Sequence, residues 1–285
     1  MGRYRSFLQF ADRKTREAEH AAISPLVTLE RGGLDRDLRG IGSEWTRRQY
    51  DGDFALFPLP ARLPAISLVF VQSRSGNTGA ESPDELGGGP TDKHLIYEGL
   101  SRVAADAVLA GASTTAGTNV FFSLWHPELV ALRRSLGLPR HPAQIVLSGR
   151  GEIDVEGTLL FNVPEVPVFV IAGAIGRDRC ADAFARRPWI TVVPLARDGL
   201  DAALALLRAE HGIQRISCIG GRATASALID ARLVQDLCLT TTARAAGEPD
   251  TPFYTGRRAP SFEAITRKRG TDLTEPILFE HLALT

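Results

Sequence analysis

The chain has 285 residues, of which 44% are hydrophobic and 23% are charged, as is ordinary for globular proteins. Its 33 basic and 33 acidic residues give a formal net charge of zero, which excludes a basic field that would favour nucleic acid or an anionic membrane. The apolar runs are too short to span a membrane, and residues 1–20 lack the apolar stretch of a secretion signal. We therefore expect a cytoplasmic protein with a large core that binds neither nucleic acid nor a membrane.

The first part of the chain differs in composition from the rest. Residues 1–64 are rich in arginine, glycine and aspartate, and they close with a proline-rich run, FPLPARLPA, at 57–65. This composition predicts an appended segment, only partly ordered, that packs on a main domain formed by residues 65–285.

From residue 65 onward, short apolar runs alternate with segments of helical periodicity. Strands are predicted at 66–72, 106–111, 144–148, 166–172, 189–195, 215–219 and 237–242, and helices at 94–105, 126–137, 179–187, 198–212 and 222–233. This alternation predicts an α/β fold whose mostly parallel central sheet is covered by helices on both faces. Two final apolar runs, 262–268 and 275–284, predict an antiparallel pair at one edge of that sheet.

A double glycine between a predicted strand and a predicted helix is the most informative local signal. Gly220 and Gly221 follow the apolar run that ends at Ile219. Glycine permits positive φ and lets another group approach the backbone closely. The helix that follows directs its free N–H groups at this turn, which suits a phosphate or pyrophosphate. A tight packing corner without a ligand remains the alternative explanation.

Several common catalytic signatures are absent from the sequence. It contains no G-x-G-x-x-G after a strand, no Walker A loop, no G-x-S-x-G and no H-E-x-x-H. The triplet at 126–128, His-Pro-Glu, begins like a zinc deaminase signature, but no P-C-x-x-C follows it. We expect a helix start there and no metal site. Cys180, Cys218 and Cys238 are far apart, and we expect reduced thiols that serve packing.

Three segments in order resemble one known family. They are ISLVFVQSRSGNTG at 66–79, TDKHLIYEGLSRVAADAVLAGASTTAGTN at 91–119, and QRISCIGGRATASALIDARLVQDLCLT at 214–240. Together they resemble the reductase domain of bacterial riboflavin biosynthesis, usually the C-terminal half of a bifunctional deaminase–reductase, over roughly residues 65–285. The resemblance implies a three-layer α/β/α, dihydrofolate-reductase-like fold that uses NADPH. The implied reaction is hydride transfer to C1′ of the opened ribose of 5-amino-6-(5-phosphoribosylamino)uracil.

The resemblance also implies positions for the ligands. The positions that match the family's cofactor site are Gly111, Thr114, Ser148, Arg150, Gly220 and Gly221. Those that match its substrate site are Ser75, Arg102, Thr118 and Asn119. A solvated turn around Arg150 and a surface cation at Arg102 are the structural alternatives.

Three departures from the family pattern fall on the substrate side. Ser75, Thr118 and Ile219 stand where the family has carboxylates, so the substrate pocket has a different charge and polarity. This difference leaves two alternatives open. One is a reductase of another pterin, folate-like or imine substrate, and the other is a catalytically inactive NADP-binding protein.

The loop at 82–94, SPDELGGGPTDKH, bears on the same question. Asp84, Glu85 or Asp92 could compensate for the missing carboxylates, and the three glycines at 87–89 favour either a flexible lid or a plain surface loop. The catalytic residues are unknown at this stage, with Lys93, His94 and water as candidate proton donors.

The resemblance further implies a homodimer. The apolar terminal run ILFEHLAL supports it, because an exposed apolar edge strand is usually covered or paired.

Overall fold

The structure is a computed structural model that describes residues 2–32, 36–80, 84–195, 199–271 and 275–285, with nothing described for the side chains of 2–4. Its strands are β1 (Leu26–Arg31), β2 (Arg39–Ile41), β3 (Phe54–Leu56), β4 (Ala65–Gln72), β5 (Ala107–Gly111), β6 (Ala143–Ser148), β7 (Val168–Ala172), β8 (Ile190–Pro194), β9 (Arg215–Cys218), β10 (Asp236–Thr241), β11 (Phe262–Gly270) and β12 (Leu278–Leu284). Its helices are α1 (Gly2–Glu19), α2 (Glu44–Gln49), α3 (Gly89–Thr91), α4 (Pro127–Ser135), α5 (Ala174–Ala185), α6 (Leu200–His211) and α7 (Arg222–Asp230). The helix α3 continues directly as a π-helical segment, Asp92–Leu100, and a 3₁₀ turn spans Leu159–Asn162.

The central sheet has ten strands in the order β1-β11-β12-β10-β4-β9-β5-β6-β7-β8. Seven neighbouring strands are parallel to one another, namely β10, β4, β9, β5, β6, β7 and β8. The pairs β1–β11, β11–β12 and β12–β10 are antiparallel. The predicted mostly parallel sheet with an antiparallel edge is therefore confirmed. All the strands predicted after residue 65 occur, with bounds that differ by at most a few residues.

Helices cover both faces of the sheet. On β7, Phe169 and Ile171 face the core formed with α6 and α7, while Val168 and Val170 face the core that contains α5 and α1. Because successive side chains of a strand point to opposite faces, a strand buried on both sides is a continuous apolar run. This arrangement confirms the three layers.

The N-terminal segment is part of this architecture. In the sheet, β1 pairs antiparallel with β11, with Leu26 opposite Gly270. The helix α1 packs through its aromatic side chains, and the ring centroids of Phe10 and Trp125 are 5.6 Å apart. The strands β2 and β3 form a separate hairpin. Residues 1–64 thus supply a helix and a sheet strand that their composition did not predict, and the division at residue 64 remains a prediction.

Three expectations about the elements are wrong. The strand β12 lies between β11 and β10 inside the sheet, so the terminal run is not an exposed edge. The expected homodimer now rests on the resemblance alone. The helix predicted at 94–105 is π-helical and ends at Leu100, and the one predicted at 179–187 begins earlier, at Ala174. In the parts of the chain that the structure describes, no helix has the length and apolarity needed to cross a bilayer.

Candidate active site

A cleft of about 800 Å³ opens at the carboxyl ends of β4, β9 and β5. Its floor includes Val69 and Val71 of β4, and its rim includes Thr114 after β5 and Gly221 after β9. Ligands in open α/β sheets bind in such a crevice, and the volume fits a nucleotide-sized molecule. Another cavity, beside Phe57, has only about 20 Å³, which is room for about one water molecule.

Of the predicted cofactor residues, Thr114 and Gly221 line this cleft, and Gly111 and Gly220 lie beside them, with Gly111 N donating to the Gly220 carbonyl at 3.4 Å. Gly220 has φ +124° and Gly221 has φ +68°, so both occupy backbone conformations that favour glycine. A Cβ added to Gly111 would lie 2.8 Å from Thr224 Oγ1, and one added to Gly221 would lie 3.4 Å from Thr114 Oγ1. Gly111, Gly220, Gly221 and Thr114 are called here the glycine cradle; its Gly111 and Gly221 are closely packed, whereas nothing lies within 4 Å of a Cβ added to Gly220.

The cradle adjoins the start of α7. This helix begins at Arg222, directly after Gly221, and no side chain caps its first turn. The N-terminal N–H groups and the helix dipole favour an anion at this position. Arg222 itself lines the cleft and adds a positive charge. The arrangement can hold a phosphate or pyrophosphate group.

The other two predicted cofactor residues lie at the end of the next strand. The strand β6 runs beside β5, and the Ala112 N–H donates to the Leu147 carbonyl at 3.0 Å. Ser148 is buried at the end of β6, whereas Arg150 is exposed and its Nε lies 3.8 Å from Glu152 Oε1. Neither residue lines the cleft. Arg150 is thus an exposed cation, paired with Glu152, at the same edge of the sheet.

Three of the predicted substrate residues are exposed and do not line the cleft. Ser75 lies in the turn after β4, and Thr118 and Asn119 lie in the loop after β5. The Thr118 carbonyl accepts a hydrogen bond from Leu159 N at 3.1 Å. Ile219, which replaces a family carboxylate, does line the cleft and makes that wall apolar.

The predicted role of Arg102 in substrate binding needs correction. Its side chain is only 1% exposed, and one guanidinium nitrogen donates to the Ser123 carbonyl at 2.7 Å. The guanidinium carbon lies 4.0 Å from the ring centroid of Tyr97, and Tyr97, not Arg102, lines the cleft. In this arrangement the Arg102 side chain does not line the cleft. The alternative of a surface cation is equally wrong.

A buried carboxyl group at the cleft was only loosely anticipated. Asp92 lines the cleft, is 4% exposed, and accepts a hydrogen bond from the Thr240 hydroxyl. Burial, reinforced by the nearby charge of Asp84, raises the pKa of Asp92 to about 7. A carboxyl group of this kind can exchange a proton near neutral pH. Of the loop carboxylates considered above, Asp84 also lines the cleft and Glu85 does not.

The candidate proton donors separate clearly. Lys93 lines the cleft, whereas His94 is 1% exposed and its Nδ1 lies 3.2 Å from Glu98 Oε2. Glu98 also accepts from Trp125 N at 2.9 Å, so His94 belongs to a structural network and is not a proton donor to the cleft. Sequence reasoning missed Lys14 and Glu248, because each reaches the cleft from a distant part of the chain, and it missed Tyr97, which lies one helical turn after Lys93.

The cysteines and the His-Pro-Glu triplet at 126–128 have structural roles. Pro127 begins α4 as predicted, and the three cysteines are free and buried. Within the described ranges, the potential metal-ligand group is Asp236, Cys238 and His281. His281 Nε2 and Asp236 Oδ2 are already 2.9 Å apart. Burial raises the pKa of Cys238 well above its usual value, which opposes the thiolate that a metal needs.

Comparison with known proteins agrees with this geometry. A family model described as the RibD C-terminal domain matches residues 72–269. A pyrimidine reductase-like protein from Corynebacterium diphtheriae has a TM-score of 0.57 at 17% identity, over 78% of this chain and 92% of its own. RibD of Acinetobacter baumannii has a TM-score of 0.59 at 17% sequence identity, and the match covers 79% of this chain and 59% of the A. baumannii chain. The Riboflavin Biosynthesis Reductase Rib7 of Saccharomyces cerevisiae has a TM-score of 0.51 at 14% sequence identity, and the match covers 79% of this chain and 93% of the yeast chain.

No curated protein matches the sequence significantly. The chain spans only 59% of the length of the A. baumannii protein. At identities this low, the structural neighbours establish the dihydrofolate-reductase-like fold, which confirms the fold implied by the resemblance. The family resemblance is confirmed by the match to more than half of the chain.

Proposed function

Since the chain belongs to the family of RibD C-terminal domains, we propose that it is an NADPH-dependent reductase resembling 5-amino-6-(5-phosphoribosylamino)uracil reductase. The observation that carries this proposal is the glycine cradle beside the start of α7, at the rim of the large cleft. A helix start with two positive-φ glycines and no side chain in the way suits a dinucleotide pyrophosphate.

The residues present fit NADPH. The pyrophosphate would be held by the glycine cradle, which adjoins the free N–H groups at the start of α7: Gly111, Thr114, Gly220 and Gly221. A side chain at Gly111 would meet Thr224, and one at Gly221 would meet Thr114. Arg150 would bind the adenosine 2′-phosphate, since its guanidinium is exposed and can donate two parallel hydrogen bonds. Ser148 is buried and would support the loop from beneath.

NADPH supplies the hydride when bound. A hydride that reaches the C1′ carbon of an imine must be matched by a proton on the nitrogen, so the site needs an acid. Asp92 is the best candidate, because it lines the cleft, is buried and has a pKa of about 7. Thr240 orients the carboxyl group, and Lys93 beside it favours an anionic substrate.

A second candidate is favoured by a specific observation. The cleft wall has Ile219 where the family has a carboxylate, and its buried carboxyl group is instead Asp92. A carboxylate can accept two parallel hydrogen bonds from the amino and ring N–H groups of a pterin or folate-like heterocycle. This candidate keeps the reductase chemistry and changes the substrate.

The experiment that tests the proposal is a titration of the purified protein with NADPH and NADH, followed by nicotinamide fluorescence. We expect tighter binding of NADPH, and Arg150→Ala should weaken NADPH by about tenfold while leaving NADH unchanged, since a hydrogen-bonded charge contributes about 1.5–3 kcal/mol. Arg186→Ala is the matched control, because Arg186 is an exposed arginine outside the cleft.

Binding of neither nucleotide would refute the reductase proposal. If NADPH binds, turnover with 5-amino-6-(5-phosphoribosylamino)uracil and with dihydropterin or dihydrofolate substrates separates the two candidates. Binding without turnover of any of these, or of simple imines, would favour an inactive NADP-binding protein.

A further inference from the structure

The N-terminal helix reaches the cleft from outside the matched family domain. The helix α1 precedes the matched residues 72–269, yet Lys14 on it lines the same cleft as Lys93 and Tyr97. One lining side chain, Lys14, therefore comes from α1, a part of the chain that the family comparison does not cover.

The position of α1 is held by packing. Phe7, Phe10 and Ala18 are buried on one side of the helix, and the Phe7 ring lies 4.7 Å from that of Phe121. These residues belong to the same core as the sheet strand β7. Since the apolar side is fixed against the domain, the side that carries Lys14 has a defined place at the cleft.

The two lysines of this wall form a cationic patch. Lys14 Nζ donates to Glu17 Oε2 at 2.9 Å, and its side chain is partly buried. The pKa of Glu17 is lowered mainly by its hydrogen bond from Lys14. The charge of Lys93 lies close enough to lower it further. Among the described residues Lys93 has no ion-pair partner of its own. Glu17 thus interacts with both ammonium groups, and Asp84 and Asp92, in the same segment as Lys93, are further carboxyl groups that line the cleft.

The cation that the family resemblance assigned to the substrate is not accessible. Arg102 is buried behind Tyr97, with its guanidinium 4.0 Å from the ring centroid. A phosphate-bearing substrate therefore needs another source of positive charge on this wall. An ammonium group is a compact point charge that binds phosphate oxygens through up to three donors.

We propose that α1 forms one wall of the substrate half of the cleft, and that Lys14 and Lys93 together bind the phosphate group of the substrate. This inference rests on the proposed reductase function, and it assigns to the N-terminal segment a direct part in substrate recognition. The phosphate site would lie in the same cleft as the glycine cradle, which the cofactor would occupy.

The test is calorimetric binding of ribose 5-phosphate to the full chain saturated with NADP⁺, with ribose as the uncharged counterpart. We expect ribose 5-phosphate to bind at least tenfold more tightly than ribose, and Lys14→Met to weaken ribose 5-phosphate about tenfold. Methionine keeps the length and apolar stem of lysine. Arg16→Met is the matched control, because Arg16 lies on the same helix, is exposed, and pairs with Asp12 at 2.7 Å.

The outcomes separate the two proposals. If NADPH binds all variants equally but Lys14→Met binds ribose 5-phosphate as tightly as Arg16→Met does, the phosphate site is refuted and the reductase proposal stands. Equal binding of ribose and ribose 5-phosphate by the wild type would also refute it. If the wild type fails to bind NADPH, the reductase proposal fails, and the assignment of this patch to a substrate fails with it.

Discussion

Replacing Gly221 by alanine should separate cofactor binding from folding. Gly221 has φ +68° and ψ 125°, outside the left-handed helical region, and an L-residue held in such a sparsely populated conformation costs about 1–3 kcal/mol. The added Cβ would lie 3.4 Å from Thr114 Oγ1 and 3.7 Å from Thr224 Oγ1. The first contact is close but the second is ordinary, so the variant should fold with a modest loss of stability.

The effect on NADPH binding should be larger than that on stability. The new methyl group stands at the glycine cradle, where the backbone must come close to the pyrophosphate. Loss of one hydrogen bond to a charged group costs about 1.5–3 kcal/mol, which corresponds to roughly tenfold to a hundredfold in affinity. We therefore expect NADPH to bind at least tenfold more weakly.

Gly137→Ala provides the matched control. Gly137 follows α4 with φ +74°, nothing lies within 4 Å of its added Cβ, and it does not line the cleft. Urea denaturation should show similar losses of unfolding free energy for both variants, and nicotinamide fluorescence should show weak NADPH binding only for Gly221→Ala. Equal NADPH affinities for the two variants would refute the role of the cradle.

Two further predictions concern buried charged groups. Asp92 has a folded pKa of about 7, above its unfolded value, so the folded state retains a proton that the unfolded state releases as pH rises above about 4. The unfolding free energy of the wild type relative to Asp92→Asn should therefore fall by about 4 kcal/mol between pH 4 and pH 7 and then level off, and a pH-independent difference would contradict this. Arg133 donates to the carbonyls of Ala105 at 2.7 Å and Pro139 at 2.6 Å, and Arg133→Met should cost about 2–4 kcal/mol in urea denaturation. Arg134→Met, at an exposed neighbour, should change little, and similar losses for both variants would count against the hydrogen-bonding role.

The main sheet could be predicted because its strands are buried on both faces. Continuous apolar runs such as the one at β7 carry that information locally, and the Gly-Gly turn needs only its own residues. The strand β1 could not be found in this way, since only Leu26 is buried in it and its last three residues are exposed. Its place depends on β11, more than 230 residues away.

Of the predicted site residues, Thr114 and Gly221 line the cleft, whereas Arg102 is buried and does not line it. The glycine cradle forms from residues adjacent to strand ends, which a parallel sheet brings to one edge. The substrate role of Arg102 came from the family resemblance, and the alternative of a surface cation came from a helical pattern extended too far, since the helix ends at Leu100. Lys14 reaches Lys93 only through the packing of α1, which no local pattern records.

The position of β12 between β10 and β11 has a consequence for biosynthesis. The nascent chain can form the parallel part of the sheet once β10 has emerged from the ribosome, but β11 has no neighbour linking it to that part until residues 278–284 follow. The strand β1, made first, must wait for β11 before it can pair. Long-range pairings of this kind slow folding and leave strand edges exposed in the meantime. The antiparallel strands β1, β11 and β12 are therefore the part of the molecule that should depend most on chaperones during synthesis.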